Sequence, residues 1–122
     1  MADREHLQRE ALEELVSYSG NLVPAVQEMI VELRSAGKED TEEFLEDIIA
    51  GINWEIEVYN QCVSLLNEKG NYIDRSKMGE AVRNLGVSLG AGDRVKIAKC
   101  LEEDFLPFLN QLTFAARIVV EG

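Results

Sequence analysis

The chain has 122 residues and a net charge of −11, and 46% of its residues are hydrophobic while 29% are charged. This size and balance exclude a disordered chain and predict a single globular domain over residues 1–122 with one hydrophobic core. No apolar run approaches the length of a membrane span, and the negative charge opposes a phosphate backbone, so we expect neither a membrane protein nor a nucleic-acid-binding protein.

The charge pattern and the cysteines bear on partners and location. Residues 69–99 carry seven basic and three acidic side chains, an excess of four positive charges in an otherwise acidic chain. This segment either presents a basic face or packs beside acidic helices, and we expect the second because the charges then neutralise each other. The first six residues are largely charged, unlike a signal peptide, and Cys62 and Cys100 lie in helical patterns. We therefore expect a cytoplasmic protein with reduced cysteines.

The first predicted helix runs from about Asp3 to Ser35, with an interruption between Gly20 and Pro24. Proline removes a backbone hydrogen bond, so either two helices meet here or one helix bends. The apolar positions keep a 3-4 spacing through the interruption, at Leu12, Leu15, Ser19, Leu22, Val26, Met29 and Leu33. A turn would reset that spacing, so we predict one helix kinked near Pro24, with two helices in line as the alternative. Gly37 then suits a left-handed C-cap.

The second predicted helix begins at Asp40 or Thr41, either of which can cap it, and runs to about Asn67. Its main apolar row consists of Leu45, Ile49, Ile52, Ile56, Tyr59, Val63 and Leu66. A second row beside it consists of Phe44, Ile48, Val58, Cys62 and Leu65. Two adjacent rows make a face too wide for one partner helix, so we expect this helix to contact at least two others.

A connector is predicted at residues 69–73, and Asp74 and Asp93 are the predicted caps of a third and a fourth helix. The apolar row of the third helix consists of Met78, Val82, Leu85 and Leu89. The row of the fourth consists of Ala98, Leu101, Phe105, Phe108, Leu112, Ala115 and Val119. Pro107 lies within the fourth helix and predicts a kink near Glu103.

These patterns together define the fold class. No segment alternates with the period of a β-strand for long enough to pair with another strand. The four rows have heptad-like spacing and the connectors between them are short. The sequence therefore predicts an all-α protein, an antiparallel up-down-up-down four-helix bundle.

The residues that common catalytic and metal centres need are scarce. His6 is the only histidine, which is too few for a di-iron site. It lies near a helix end that we expect to fray, which disfavours a catalytic triad. Gly90 and Gly92 precede a helix, but no strand comes before them and no lysine–serine or lysine–threonine pair follows, as a phosphate loop requires. We predict no catalytic residue, no cofactor and no metal, and favour a non-enzymatic protein.

Glu55 is the acidic residue with the strongest prediction of burial, because it lies in the second apolar row between Ile48 and Cys62. Buried charges are usually paired, so we expect a lysine or arginine of residues 69–99 beside it. The alternative is a buried polar site formed by Glu55 and Tyr59. Such a site would bind a small ligand or perform acid–base chemistry in a central cavity.

Trp54 lies nearly opposite the main row of the second helix, with Ala50, Gly51, Val58 and Leu65 close to it on a helical wheel. An exposed tryptophan over small residues is typical of a contact patch, and Gly51 would let another backbone approach. The alternative is that the first helix or a chain terminus covers Trp54. We therefore predict an interaction module, whether an adaptor, a small chaperone or a homodimer through this face. A ligand-binding or enzymatic bundle around Glu55 is the second hypothesis.

Overall fold

The computed structural model describes residues 2–71 and 73–122, so Tyr72 of the predicted connector lies outside the described residues. All the regular structure in those ranges is helical, which confirms the predicted all-α class. The elements are α1 (Ala2–Leu33), α2 (Thr41–Lys69), α3 (Arg75–Ala91), α4 (Arg94–Cys100), a π-helical turn (Leu101–Phe105) and α5 (Leu106–Glu121). Because α4, the π-helical turn and α5 follow one another without a break, they form one rod. The described residues therefore form four helical rods, as a four-helix bundle requires.

Helix α1 is one helix with Pro24 inside it, so the prediction of a single helix is confirmed. All seven residues of its predicted apolar row are buried, at most 5% exposed, including the polar Ser19. Gly37 follows the helix with a φ of 76°, a left-handed conformation that favours glycine. The heptad-like spacing therefore identified the correct core face of α1 along its whole length.

Helix α2 is rotated relative to the prediction. Leu45, Ile49, Ile56 and Val63 of the predicted main row are only half-buried. The buried stripe from the second turn onward consists of Ile48, Gly51, Ile52, Glu55, Val58, Tyr59, Cys62, Leu65 and Leu66. The stripe is displaced toward the second row because α1 and α5 are the rods that pack closely against α2. On the opposite flank of α2, Leu45 and Ile49 line an open cleft shared with Leu89 and Ile97. As a consequence, Glu55 lies in the centre of the core face.

Helix α3 is also turned from its predicted orientation. Met78 and Leu85 are buried as predicted, but Ala81 and Ser88 complete the buried face, and Val82 is 44% exposed. The reason is that α3 packs mainly against α4 and the π-helical turn, so only a narrow face is covered. The prediction that Val82 belongs to the core was therefore wrong.

The helix caps are formed partly as predicted. The side chain of Asp74 accepts a hydrogen bond from the Ser76 backbone at the start of α3, and Asp93 accepts one from the Lys96 backbone at the start of α4. Asp40 makes no such bond at the start of α2. The cap predictions are therefore confirmed for the third and fourth helices, while Asp40 occupies its position without a side-chain cap.

A π-helical turn occupies Leu101–Phe105, the region where the sequence predicts a kink near Glu103. Pro107 has no N–H group with which to bond the Glu103 carbonyl. The turn ends where the Leu106 N–H donates to the Leu101 carbonyl, five residues back, which is the π-helical pattern. All seven residues of the predicted apolar row of this rod remain buried. The extra residue in the turn thus coexists with a continuous core face.

Candidate functional site

Side chains of α1 pack tightly against α2 at Gly51. A Cβ atom there would overlap the hydroxyl oxygen of Tyr18 and lie 3.1 Å from a methyl carbon of Leu22. Gly51 is itself buried. The sequence predicted that the backbone of a partner could approach at Gly51. In the structure, side chains of α1 of the same chain lie there, so Gly51 is not free to receive a partner.

The Tyr18 ring that crosses Gly51 meets Trp54. The two ring centroids are 5.3 Å apart and the planes stand at 80°, an edge-to-face pair. Tyr18 is 38% exposed and Trp54 is half-buried. The first helix therefore covers one side of the indole, and the other side faces an open cleft.

This cleft, which we call the aromatic cleft, has a volume of about 490 Å³. It is lined by Glu14, Tyr18, Asp47, Ala50, Gly51 and Trp54. The lining residues come from one face of α1 and one face of α2. Sequence reasoning missed Glu14, Tyr18 and Asp47, because helical wheels of separate helices do not reveal which residues meet across two helices.

Two other residues of the predicted interface lie inside the chain's own core. Val58 and Leu65 are each 5% exposed. At this end of α2 the Gln8 side chain donates to the Gln61 carbonyl at 2.9 Å, and Lys69 Nζ lies 2.6 Å from Glu5. Helix α1 thus extends along this part of α2 and covers it. The exposed part of the predicted interface consists of Ala50 and one side of Trp54.

The charge around the aromatic cleft is negative. Glu14 and Asp47 are exposed carboxylates, and none of the lining residues is basic. Among the described residues, neither acid forms an ion pair, whereas Glu5, Glu28 and Glu102 each lie within 4.0 Å of a lysine or arginine nitrogen. The site therefore combines two aromatic rings with two carboxylates that have no cation beside them.

Among the acidic residues whose burial the structure describes, Glu55 is the most deeply buried, at 0% exposure. Ser19 Oγ of α1 lies 2.9 and 3.0 Å from its two carboxyl oxygens. Within the described ranges no lysine or arginine forms an ion pair with it, so the predicted pairing with the basic segment was wrong. Burial raises the pKa of Glu55 to about 7, and the Ser19 hydrogen bond opposes that rise. The carboxyl is therefore partly protonated near neutral pH.

Tyr59 is fully buried and connects two parts of the fold. Its hydroxyl donates to the Ile73 carbonyl at 3.4 Å, and its ring meets Phe108 edge-to-face with centroids 5.8 Å apart. The principal clefts of the described chain are not lined by Tyr59 or Glu55. The two residues of the predicted polar site thus lie on the core face of α2, each bonded to a different part of the chain.

The remaining reactive groups are inert or isolated. Cys62 and Cys100 are buried free thiols, and burial raises the pKa of both, that of Cys100 to about 12 with a further contribution from Asp104. They therefore stay protonated and are poor nucleophiles. His6 lies 3.1 Å from Glu10 on the exposed side of α1. In the described part of the chain, no three histidine, cysteine or acidic residues cluster as a metal site would require.

The chain matches one protein family. The family described as "Domain of unknown function (DUF8042)" matches residues 10–113. This range includes the aromatic cleft and Glu55. No curated protein and no solved structure matches the chain. In the described ranges, none of the helices combines the length and apolar character needed to cross a bilayer.

Proposed function

We propose that this chain, which belongs to the DUF8042 family, is a non-enzymatic, single-domain helical module that binds another protein at the aromatic cleft. The observation that carries the proposal is the Tyr18–Trp54 pair, whose rings stay partly exposed at an open cleft of about 490 Å³. Tryptophan and tyrosine are the residues most often found at the energetic centres of protein interfaces. Ala50 is exposed, and its small side chain leaves room beside the rings.

We also propose that the bundle is antiparallel, with up-down-up-down topology, and that its first and last rods bend near Pro24 and Pro107. Contacts at both ends of α1 support opposite directions for α1 and the last rod. Arg9 Nη1 donates to the Val119 carbonyl at 2.6 Å, and Arg34 donates to both carboxyl oxygens of Glu102 at 2.9 and 3.0 Å. In this arrangement the aromatic cleft lies on the side of the α1–α2 pair, away from both chain ends.

Charge favours a different protein over a second copy of the chain. A symmetric homodimer through the cleft would bring two sets of Glu14 and Asp47 together, and each chain has a net charge of −11. We propose a partner with a positively charged surface, and treat the homodimer as the competing outcome. The same charge argues against nucleic acid. A cytoplasmic location is part of the proposal, and the two free thiols support it.

A second candidate is a ligand-binding or enzymatic bundle around Glu55. It is favoured by the complete burial of Glu55, which raises its pKa to about 7, a value that suits a general acid or base. Two observations oppose this candidate. The Glu55 carboxyl is hydrogen-bonded to Ser19, and Glu55 does not line the principal clefts. We therefore rank it below the interaction module.

The experiment that tests the proposed function is photo-cross-linking. A benzophenone amino acid is introduced at Ala50 in the cleft and, as a control, at Val87, which is 74% exposed on α3. In extract of the source organism, we expect the Ala50 position to give an adduct with a distinct protein, and Trp54→Ala to abolish it. The purified partner should then change Trp54 fluorescence. Equal labelling at both positions, an adduct insensitive to Trp54→Ala, or an adduct with the chain itself would contradict the proposal.

A further inference from the structure

The aromatic cleft has the composition of a cation-binding site, which is a more specific property than protein binding. We infer that it receives the guanidinium or ammonium group of an arginine or lysine side chain of the partner. The inference rests on the proposed function, since it names the chemistry of the partner at the same site.

The first support is the way in which the two helices place the lining residues. On α1, Glu14 and Tyr18 are four residues apart, and on α2, Asp47 and Trp54 are seven apart. Both spacings put the two side chains on one face of the helix. Each helix therefore contributes one carboxylate and one aromatic ring to the same cleft.

The second support is the orientation of the rings. Their planes stand at 80°, so they form a corner instead of a flat stack. The face of an aromatic ring carries negative potential and attracts a cation within about 6 Å of its centroid, most strongly for tryptophan. Gly51 maintains this corner, because a side chain there would displace the Tyr18 hydroxyl. The corner thus offers ring surface to a cation of side-chain size.

The third support is the unmatched charge. Neither carboxylate of the cleft forms an ion pair among the described residues, and no lining residue is basic. An apolar group that filled the cleft would take Glu14 and Asp47 partly out of water without a partner, which is unfavourable. An anionic group would be repelled. A cation with an aliphatic stem satisfies both the rings and the carboxylates.

The test uses Trp54 as its own reporter, because it is the only tryptophan in the chain. The probe is N-acetyl-arginine methylamide, titrated at low salt against the full chain while Trp54 fluorescence is followed. Its uncharged isostere, the citrulline derivative, is the matched control probe. We expect saturable binding of the arginine probe, with affinity for the citrulline probe lower by about tenfold. Equal affinity for the two probes would overturn the inference.

Two double variants, which both lower the net negative charge by two, test the carboxylates of the cleft. Glu14→Gln with Asp47→Asn removes the acids of the cleft, whereas Glu13→Gln with Glu42→Gln removes two exposed acids elsewhere on the same helices. We expect the first to weaken the arginine probe by about tenfold and the second by less than about twofold. Equal effects would show that only the overall charge matters, and would contradict a specific site. Helical circular dichroism of both variants verifies that they are folded.

Two further measurements distinguish a partner side chain from a small free cation, and failure of this inference from failure of the proposed function. The lysine derivative and tetramethylammonium are titrated in the same way. If tetramethylammonium binds more tightly than both amino-acid derivatives, the site takes a small free cation, and the assignment to a partner side chain is wrong. If no cation binds while the Ala50 cross-link persists, this inference fails and the proposed function stands. If the cross-link is absent, the proposed function fails whatever the probes do.

Discussion

Glu55 of α2 is held in the core by Ser19 of α1, whose hydroxyl oxygen lies 2.9 and 3.0 Å from the two carboxyl oxygens. Glu55 is completely buried, and Ser19 is 3% exposed. A hydrogen bond with the Ser19 hydroxyl is sufficient for a protonated, neutral carboxyl. One hydroxyl does not compensate the free-energy cost of burying the charged carboxylate. The pair therefore makes the stability of the fold depend on pH.

The first prediction concerns that dependence. The folded-state pKa of Glu55 is about 7, above its ordinary value of 4.5, so folding favours the protonated form. This contribution to stability is fully present below pH 4.5 and is lost as the pH rises to about 7 and above. The loss amounts to about 3 kcal/mol as an upper limit. Glu55→Gln cannot ionise and still offers a hydrogen-bond partner to Ser19. Urea unfolding should show the variant more stable than the native chain at pH 8, with nearly equal stability at pH 4.5.

The native chain and the Glu55→Gln variant share all their other acidic residues. The effect of repulsion among those residues on the free energy of unfolding therefore cancels when the two proteins are compared at one pH. A Glu55→Gln variant that is less stable than the native chain at pH 8 would show that the carboxylate is stabilised by a charge that the Ser19 contact does not provide.

The second prediction concerns Ser19. Its hydrogen bond lowers the pKa of Glu55 against the effect of burial. Removal by Ser19→Ala should therefore raise that pKa further and cost about 1–3 kcal/mol at pH 8, more than at pH 5. In a Glu55→Gln background the cost should no longer vary between the two pH values. Unfolding measurements of the four proteins of this cycle test the coupling, and a cost that varies with pH in both backgrounds would contradict it.

The third prediction concerns Gly51. Alanine favours a helix over glycine by about 1 kcal/mol, and at Gly79, where no atom lies within 4 Å of the added Cβ, we expect Gly79→Ala to stabilise by up to that amount. At Gly51 the added Cβ overlaps the Tyr18 hydroxyl, so Gly51→Ala should be less favourable than Gly79→Ala by about 1–3 kcal/mol. Tyr18→Phe removes the overlapping atom and should recover part of the difference. Thermal or urea unfolding checks this, and equal effects at both glycines would refute the close approach.

The fourth prediction tests the orientation of α2. Ile52 is 1% exposed, whereas Ile49 is half-buried and lines an open cleft. An unpaired charge in the core has no compensation, so Ile52→Asp should cost at least about 4 kcal/mol and unfold the domain. Ile49→Asp can reach water, and we expect a folded, cooperative protein. Circular dichroism melting of both variants distinguishes them. Similar losses would mean that the two positions are equally buried.

The sequence identified the helices and two of the core faces because one dominant apolar row determines how a helix packs. Helix α1 and the last rod each have such a row, and every residue in it is buried. Helix α2 has two adjacent rows, so its sequence is compatible with a range of rotations. Contacts with α1 and α5 select one of them, and that choice brings Glu55 to the centre.

The candidate site, too, could be predicted only in part from the sequence. Trp54 and Ala50 were predicted from the composition of one helix face, but their neighbours Tyr18 and Glu14 belong to another helix. Which residues meet across two helices depends on their offset along the axis, and a single sequence does not define that offset. The polar Ser19 in the apolar row of α1 was a signal that a buried polar partner exists, although it did not identify Glu55.

The most direct measurement is the affinity of the purified partner, found by cross-linking at Ala50, for two matched aromatic variants. Trp54→Ala removes the ring of the cleft, whereas Phe114→Ala removes a ring that is 58% exposed on α5, next to the connector between α2 and α3. Calorimetry should show that Trp54→Ala weakens binding by about 2 kcal/mol or more, roughly thirtyfold, while Phe114→Ala changes it less than about twofold. Unchanged affinity of a folded Trp54→Ala variant would contradict binding at the aromatic cleft.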